Sequence, residues 1–146
     1  MAQIDIVVGT VYGAAMLVAE TLAEELAHQG HQCAVHDEAG LADIDPARFL
    51  LLVTATTGQG DIPPNLHPFA TELADTTPWL KGLRYALIAM GDSSYTHFCG
   101  AGRRLDALLQ ECGATRVIAP LELDATVHDE PERVALAWLQ GGDIQP

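Results

Sequence analysis

Two short stretches carry residue types suited to holding a ligand. Thr54–Asp61 (TATTGQGD) sets three threonine hydroxyls beside two glycines, and Gly91–Cys99 (GDSSYTHFC) sets an aspartate and two serines beside a tyrosine. Two glycines around one residue let a peptide plane rotate, so that Gly58-Gln59-Gly60 can present either a carbonyl or an N–H to a ligand edge. Tyr95, in a polar loop, offers a flat surface for stacking. A third stretch, Gly9–Ala15 (GTVYGAA), opens a helical pattern. Backbone N–H groups at a helix start, helped by the helix dipole and a short hydroxyl, can hold a phosphomonoester with no cation. The segment has neither a Gly-Lys-Ser/Thr ending nor a second close glycine, so it is neither a P-loop nor the dinucleotide fingerprint. Taken singly, each stretch also reads as a turn without a ligand. Asp61 supports its loop or is simply solvated, Phe98 reads as a core anchor, and Cys99 as a small buried residue with no base beside it.

The elements that must position these loops follow from apolar patterning. Phe49–Val53 and Tyr85–Met90 are near-continuous apolar runs, as expected of parallel strands covered on both faces, and Gln3–Val8 reads as the first strand. Ala15, Val18, Ala19, Leu22, Ala23 and Leu26 form one helical face, with Glu20, Glu24 and Glu25 outward and Gly30 as the stop. His31–His36 reads as the second strand, and Asp37–Asp45 as a loop or short helical turn. Asn65 is placed to N-cap a helix carrying Leu66, Phe69 and Leu73, with Pro68 in its first turn. Ala101, Leu105, Leu108, Leu109 and Cys112 mark the next helix, closed by Gly113. Arg116–Ala119 reads as strand five, with a broken extension through Leu121–Leu123. Asp129 and Glu132 form a capping-box signal before Val134, Ala135 and Trp138, and a short mobile tail is expected at the C-terminus. The pattern is a βαβαβ series giving one α/β domain over residues 1–146. It predicts a doubly wound, five-stranded parallel sheet between helices, with ligands beyond the carboxyl ends of the strands.

Composition narrows the function. Twenty acidic against seven basic residues give a net charge of −13, and no Lys or Arg precedes Arg48. Nucleic acid is disfavoured, a basic protein partner is favoured, and any phosphate near the N-terminus must be held by neutral groups. With no basic-then-apolar leader and no apolar run long enough to span a bilayer, a cytoplasmic protein without a membrane partner is expected. Three cysteines without paired spacing give neither a disulfide framework nor a zinc site, and His28 with His31 reads as a solvated helix end.

In these residues the chain resembles flavodoxin-like FMN proteins, more closely the short MioC-type flavodoxins, which share loops with the FMN domains of diflavin reductases. Thr56–Asn65, Gly91–Cys99 and the Leu123-Asp124 ending carry the resemblance, which covers essentially the whole chain. It implies the strand order 2-1-3-4-5. It implies an FMN phosphate held by Thr10, Val11, Tyr12, Gly13, Ala14 and Ala15. Thr56, Thr57, Gly58, Gln59, Gly60 and Asp61 would pass the dimethylbenzene and N5 side. Gly91, Asp92, Ser93, Tyr95, Phe98 and Cys99 would cover the pyrimidine side, with Tyr95 stacking and Asp124 closing the site. Two departures stand out: Val11, Ala14 and Ala15 supply no hydroxyls, and Thr57 stands where an aromatic is usual.

The reading is therefore a monomeric FMN carrier that moves electrons singly from a basic-surfaced flavin- or NADPH-dependent reductase to an acceptor enzyme. No side chain serves as general acid, base or nucleophile, because the flavin carries the chemistry. The acidic surface disfavours further negative charge on the flavin, so a low potential is expected for its last reduction step. The alternative is a flavodoxin-fold interaction or regulatory module that binds FMN weakly or not at all. A quinone-type flavin reductase would need a bound nicotinamide and a substrate pocket, for which the chain is short and its N-terminal half too acidic. A phosphorylated receiver domain needs clustered acids after strand one and an aspartate after strand three, where this chain has Gly9-Thr10 and Thr54.

Overall fold

The computed structural model describes residues 2–141. Strand β1 (Gln3–Gly9) leads through helix α1 (Ala14–His28) to β2 (Gln32–His36), a 3-10 turn at Leu41–Asp43 precedes β3 (Phe49–Thr54), and helices α2 (His67–Thr76) and α3 (Gly100–Glu111) lie on either side of β4 (Arg84–Gly91) in the chain. After α3 come β5 (Thr115–Arg116), β6 (Leu121–Asp124) and α4 (Pro131–Gly141). The sheet is parallel in the order β2-β1-β3-β4-β5, with β6 also on β4. This is the expected doubly wound sheet with helices on both sides. Its register sets Gly9 against Thr54 and Thr54 against Ala89, so the carboxyl ends of β1, β3 and β4 finish together.

Period-two alternation along β3 divides the core. Leu50 and Leu52 join Tyr85 and Leu87 under α2 and α3, packing with Phe69, Leu73, Leu105 and Leu109. Leu51 and Val53 join Ile4, Ile6 and Ile88 under α1 and α4, packing with Val18, Leu22, Ala135 and Leu139. Each buried leucine or phenylalanine contributes roughly 1.5–3 kcal/mol over leaving it in water. Those two layers are the rigid base on which the loops stand.

Two buried polar side chains within the sheet are paired. Asp5, within β1, meets His36 Nε2 at 3.0 Å and Arg48 Nη1 at 3.7 Å. Tyr85 donates its hydroxyl proton to Asp106, which also takes an ion pair from Arg116. Burial first, and then that bond to Asp106, push the Tyr85 phenol well above its ordinary range.

Three local expectations are corrected. Asn65 does not cap α2, which is preceded instead by a 3-10 turn at Pro64–Leu66 and carries Pro68 in its first turn. The Asn65 amide reaches back across the fold: Oδ1 accepts the Thr10 N–H at 3.0 Å, and Nδ2 donates to the carbonyls of Val8 at 2.7 Å and Asp37 at 2.8 Å. Strand five is not continuous over Arg116–Ala119. It pairs with β4 only at Thr115–Arg116 and again at Leu121–Asp124, because Pro120 lies between and offers no N–H to the ladder. Helix α4 opens at Pro131, so Glu130 rather than Asp129 precedes it, and Glu130 O accepts the Val134 N–H. The expected C-terminal tail falls outside the described residues.

Candidate functional site

A cavity of about 1020 Å³ opens at the carboxyl ends of β1, β3, β4 and β6, lined by the segments that follow those strands. Ligands of open α/β sheets are expected at this position, where β1 and β3 diverge to opposite neighbours.

The segment after β1 contributes Thr10, Val11, Tyr12 and Ala14 to the wall. The Thr10 hydroxyl accepts the Gly13 N–H at 2.9 Å, which keeps the turn tight and leaves the hydroxyl proton free to donate. Gly13 sits at φ 94°, a left-handed conformation natural to glycine, and starts α1 without a side-chain cap. The first helical N–H to find an acceptor in the chain is that of Leu17, on Gly13 O. The N–H groups of Ala14, Ala15 and Met16 are those that a helix start leaves without an intrahelical partner. Ala15 is itself buried in the core and faces away from the cavity.

The loop after β3 is pinned through its backbone. Thr57 and Asp61 exchange both main-chain hydrogen bonds, at 2.9 and 2.7 Å, and Gly60 N–H returns to Thr57 O at 3.1 Å. Thr56, Thr57 and Gly58 line the cavity, whereas Gln59, Gly60 and Asp61 do not. Gly60 has a packing role. At φ 90° it lies so close to the second loop that a Cβ there would sit 2.6 Å from His97 Cβ. The Thr56 hydroxyl is buried at the cavity wall and has no hydrogen-bond partner among the described residues. A buried, unpartnered hydroxyl costs about 1–3 kcal/mol, so its presence points to an absent ligand that accepts or donates there.

The loop after β4 is held by carboxylates. Asp92 Oδ1 accepts the Ser94 N–H at 2.9 Å and Asp92 O accepts the Tyr95 N–H at 3.1 Å. Gly91, Asp92, Tyr95, Phe98 and Cys99 line the cavity, and Tyr95 is 66% exposed there. Phe98 is half-buried under the Arg103 guanidinium, 5.6 Å from its ring centre. Cys99 is fully buried, and desolvation first, with Glu122 second, pushes its thiol up to about 12. It packs as an inert thiol. Ser93 lies outside the cavity and donates its N–H to Asp124 Oδ1 at 3.1 Å.

Asp124 ends β6. Hydrogen bonds from Ser93, and then from Thr126, outweigh desolvation and hold its carboxyl well below the usual carboxylate range. The fourth wall continues with Ala125, His128, Asp129 and Pro131; the sequence marked Asp129 only as a helix-capping signal and none of the four as a ligand contact. Ala55, Pro64, Met90, His97 and Leu123 complete it. Pro64, His97 and Leu123 lie inside or beside the recognised motifs, so that proximity was their only signal.

Among the described residues no lysine or arginine lines this cavity, while Asp92, Asp124 and Asp129 do. An anionic group bound here would have to rest on neutral donors, and the α1 start supplies them. Among the described residues no group of histidines, cysteines and carboxylates is arranged to hold a metal ion, and no helix is long and apolar enough to cross a membrane.

Residues 6–138 match the flavodoxin family model. The chain is 44% identical over 142 residues to flavodoxin YqcA of Escherichia coli K12, covering 96% of this chain and 95% of that one. It is 37% identical over 139 residues to protein MioC of the same strain, covering 95% of each. A cysteine-to-serine mutant of a flavodoxin from Pseudomonas aeruginosa superimposes with a TM-score of 0.87 at 34% identity, over 95% of each chain.

Proposed function

This chain belongs to the flavodoxin family, and from that premise we propose that it binds FMN in the described cavity and carries electrons one at a time between a reductase and an acceptor enzyme. The observation that carries the proposal is the unpartnered Thr56 hydroxyl in a cavity with a helix start at one end and an exposed tyrosine in its wall. Each matches one part of FMN: a polar ring edge, a phosphate and a planar ring.

The chain's own residues have distinct tasks. The N–H groups at the start of α1 and the Thr10 hydroxyl hold the phosphate, with Asn65 fixing the Thr10 main chain from behind. Thr56, Thr57 and Gly58 meet the polar edge of the ring, and Tyr95 stacks on its face. Gly60 packs directly against His97, so that the two loops meet beside the cavity. When bound, the flavin supplies the redox chemistry. The net charge of −13 and the carboxylates at the cavity mouth favour a donor with a basic surface and a contact that weakens with salt. They also favour a low potential for the last reduction step.

The test is to load purified protein with FMN, remove the excess and titrate with reductant without oxygen. One FMN per chain and two separated one-electron steps are expected. A folded protein that retains no flavin at micromolar concentration would support a second reading, a flavodoxin-fold interaction module. The hydroxyl-poor segment with Val11, Ala14 and Ala15 favours that reading.

A further inference from the structure

His128 lies outside every motif and yet lines the cavity. Its Nδ1 accepts the main-chain N–H of Asp124 at 2.9 Å, while its own N–H returns to Asp124 O at 2.8 Å. An imidazole nitrogen that accepts a hydrogen bond carries no proton, so the ring is the neutral tautomer protonated at Nε2. The five-residue turn Asp124–His128 is thereby closed on itself at the end of β6. Asp124 passes the constraint on: its Oδ1 gathers the N–H groups of Ser93 and Thr126 and the Thr126 hydroxyl, and the Ser93 and Thr126 hydroxyls meet at 3.1 Å. The loop that carries Tyr95 is thus tied, through Ser93 and Asp124, to an imidazole.

We propose that His128 is a pH-sensitive positioning residue of the cofactor cavity, whose neutral imidazole clamps the turn after β6 and, through Asp124, holds the Tyr95 loop in its binding position. The effect on cofactor affinity rests on the flavin reading, whereas the clamp itself does not. When Nδ1 takes a proton it becomes a donor facing the Asp124 N–H, and two donors cannot pair. The clamp opens, and the turn and the Tyr95 loop lose their common anchor. The titratable groups sharing the cavity with His128 are Asp124 and Asp129 on its own segment, Asp92, Tyr95, His97 and Cys99 after β4, and Tyr12 after β1. Of these, His97 is the other imidazole.

The experiment measures FMN affinity by flavin fluorescence between about pH 8 and pH 5, the span in which imidazoles titrate, for the wild type, H128N and H128A. Asparagine Oδ1 can take the place of Nδ1 as acceptor and does not titrate. The FMN phosphate also titrates in this range and affects all three proteins alike, so the difference between them is the readout. In the wild type, acid should weaken binding about threefold to tenfold more than in H128N, and H128A should bind weakly at both ends. Parallel pH profiles for wild type and H128N would overturn the proposal. Nitrogen NMR of the flavin-free protein decides the clamp separately, even if no variant binds FMN. The expected result is an Nε2-protonated ring at pH 8, with the Asp124 and Ser93 amide signals shifting as His128 titrates. An Nδ1-protonated ring, or amides that ignore the titration, would refute it.

Discussion

The two loops that flank the cavity are held in opposite ways. Thr56–Asp61 is fastened by main-chain pairing and by glycine packing, with Gly60 pressed on His97. Gly91–Cys99 is fastened largely by side-chain carboxylates, Asp92 within it and Asp124 across from it. Main-chain pairing and steric contact do not titrate, so the first loop keeps its shape over a wide pH range. The second loop answers to the charge of its anchors. One wall of the site is therefore a fixed surface, and the wall carrying Tyr95 is adjustable.

Breaking the fixed wall should have the largest effect. Gly60→Ala forces a side chain into a left-handed conformation and against His97, and should cost about 2–4 kcal/mol in chemical denaturation. Because the clash lies between the loops, FMN binding should suffer as well. Tyr95→Ala, on the adjustable wall, should leave unfolding nearly unchanged. It removes a stacking contact of ~0.5–1.5 kcal/mol, so FMN affinity measured by fluorescence should fall about twofold to tenfold.

Thr56→Val separates folding from binding within the fixed wall. It removes a buried hydroxyl that has no partner in the flavin-free protein, so stability there should rise by about 1 kcal/mol while FMN affinity falls. A destabilised variant would show that the hydroxyl has a partner in solution.

The smallest effect concerns Asp124. Its carboxyl titrates lower in the folded protein than in the unfolded chain, so its contribution to stability is complete above the ordinary carboxylate range. That contribution is lost only as pH falls below the range, through the folded value. In H128N, where no imidazole is coupled to this carboxylate, the Ser93 amide signal should therefore show no titration between about pH 7 and pH 5, and should move only in stronger acid.

Much of this fold is legible in the sequence because its strands are buried on both faces. Runs such as Phe49–Val53 and Tyr85–Met90 need no tertiary information to be recognised, and the helical stripe from Ala15 to Leu26 is equally local. Asn65 shows where local reasoning stops. Its position before an apolar helix resembles a cap, but its amide serves groups at Val8, Thr10 and Asp37, far away in the chain. The split of strand five turns on Pro120, whose missing N–H is visible in the sequence, although where pairing resumes is set by β4. The candidate site divides similarly. Thr56, Gly58 and Tyr95 stand in loops of marked composition, whereas His128 and Ala125 join the wall only because the chain turns back after β6. Gly60 and Ser93 stand in the same motifs and hold the loops from outside the cavity, a distinction that spacing does not reveal.

The central claim is that the start of α1 holds a phosphate with neutral donors while the loops hold the ring. Its most direct test is a side-by-side titration of the flavin-free protein with FMN and with riboflavin, which has the ring but no phosphate. Charge-assisted hydrogen bonds are worth ~1.5–3 kcal/mol each, so FMN should bind at least about tenfold more tightly. Equal affinities, or no binding of either by a folded protein, would contradict the account.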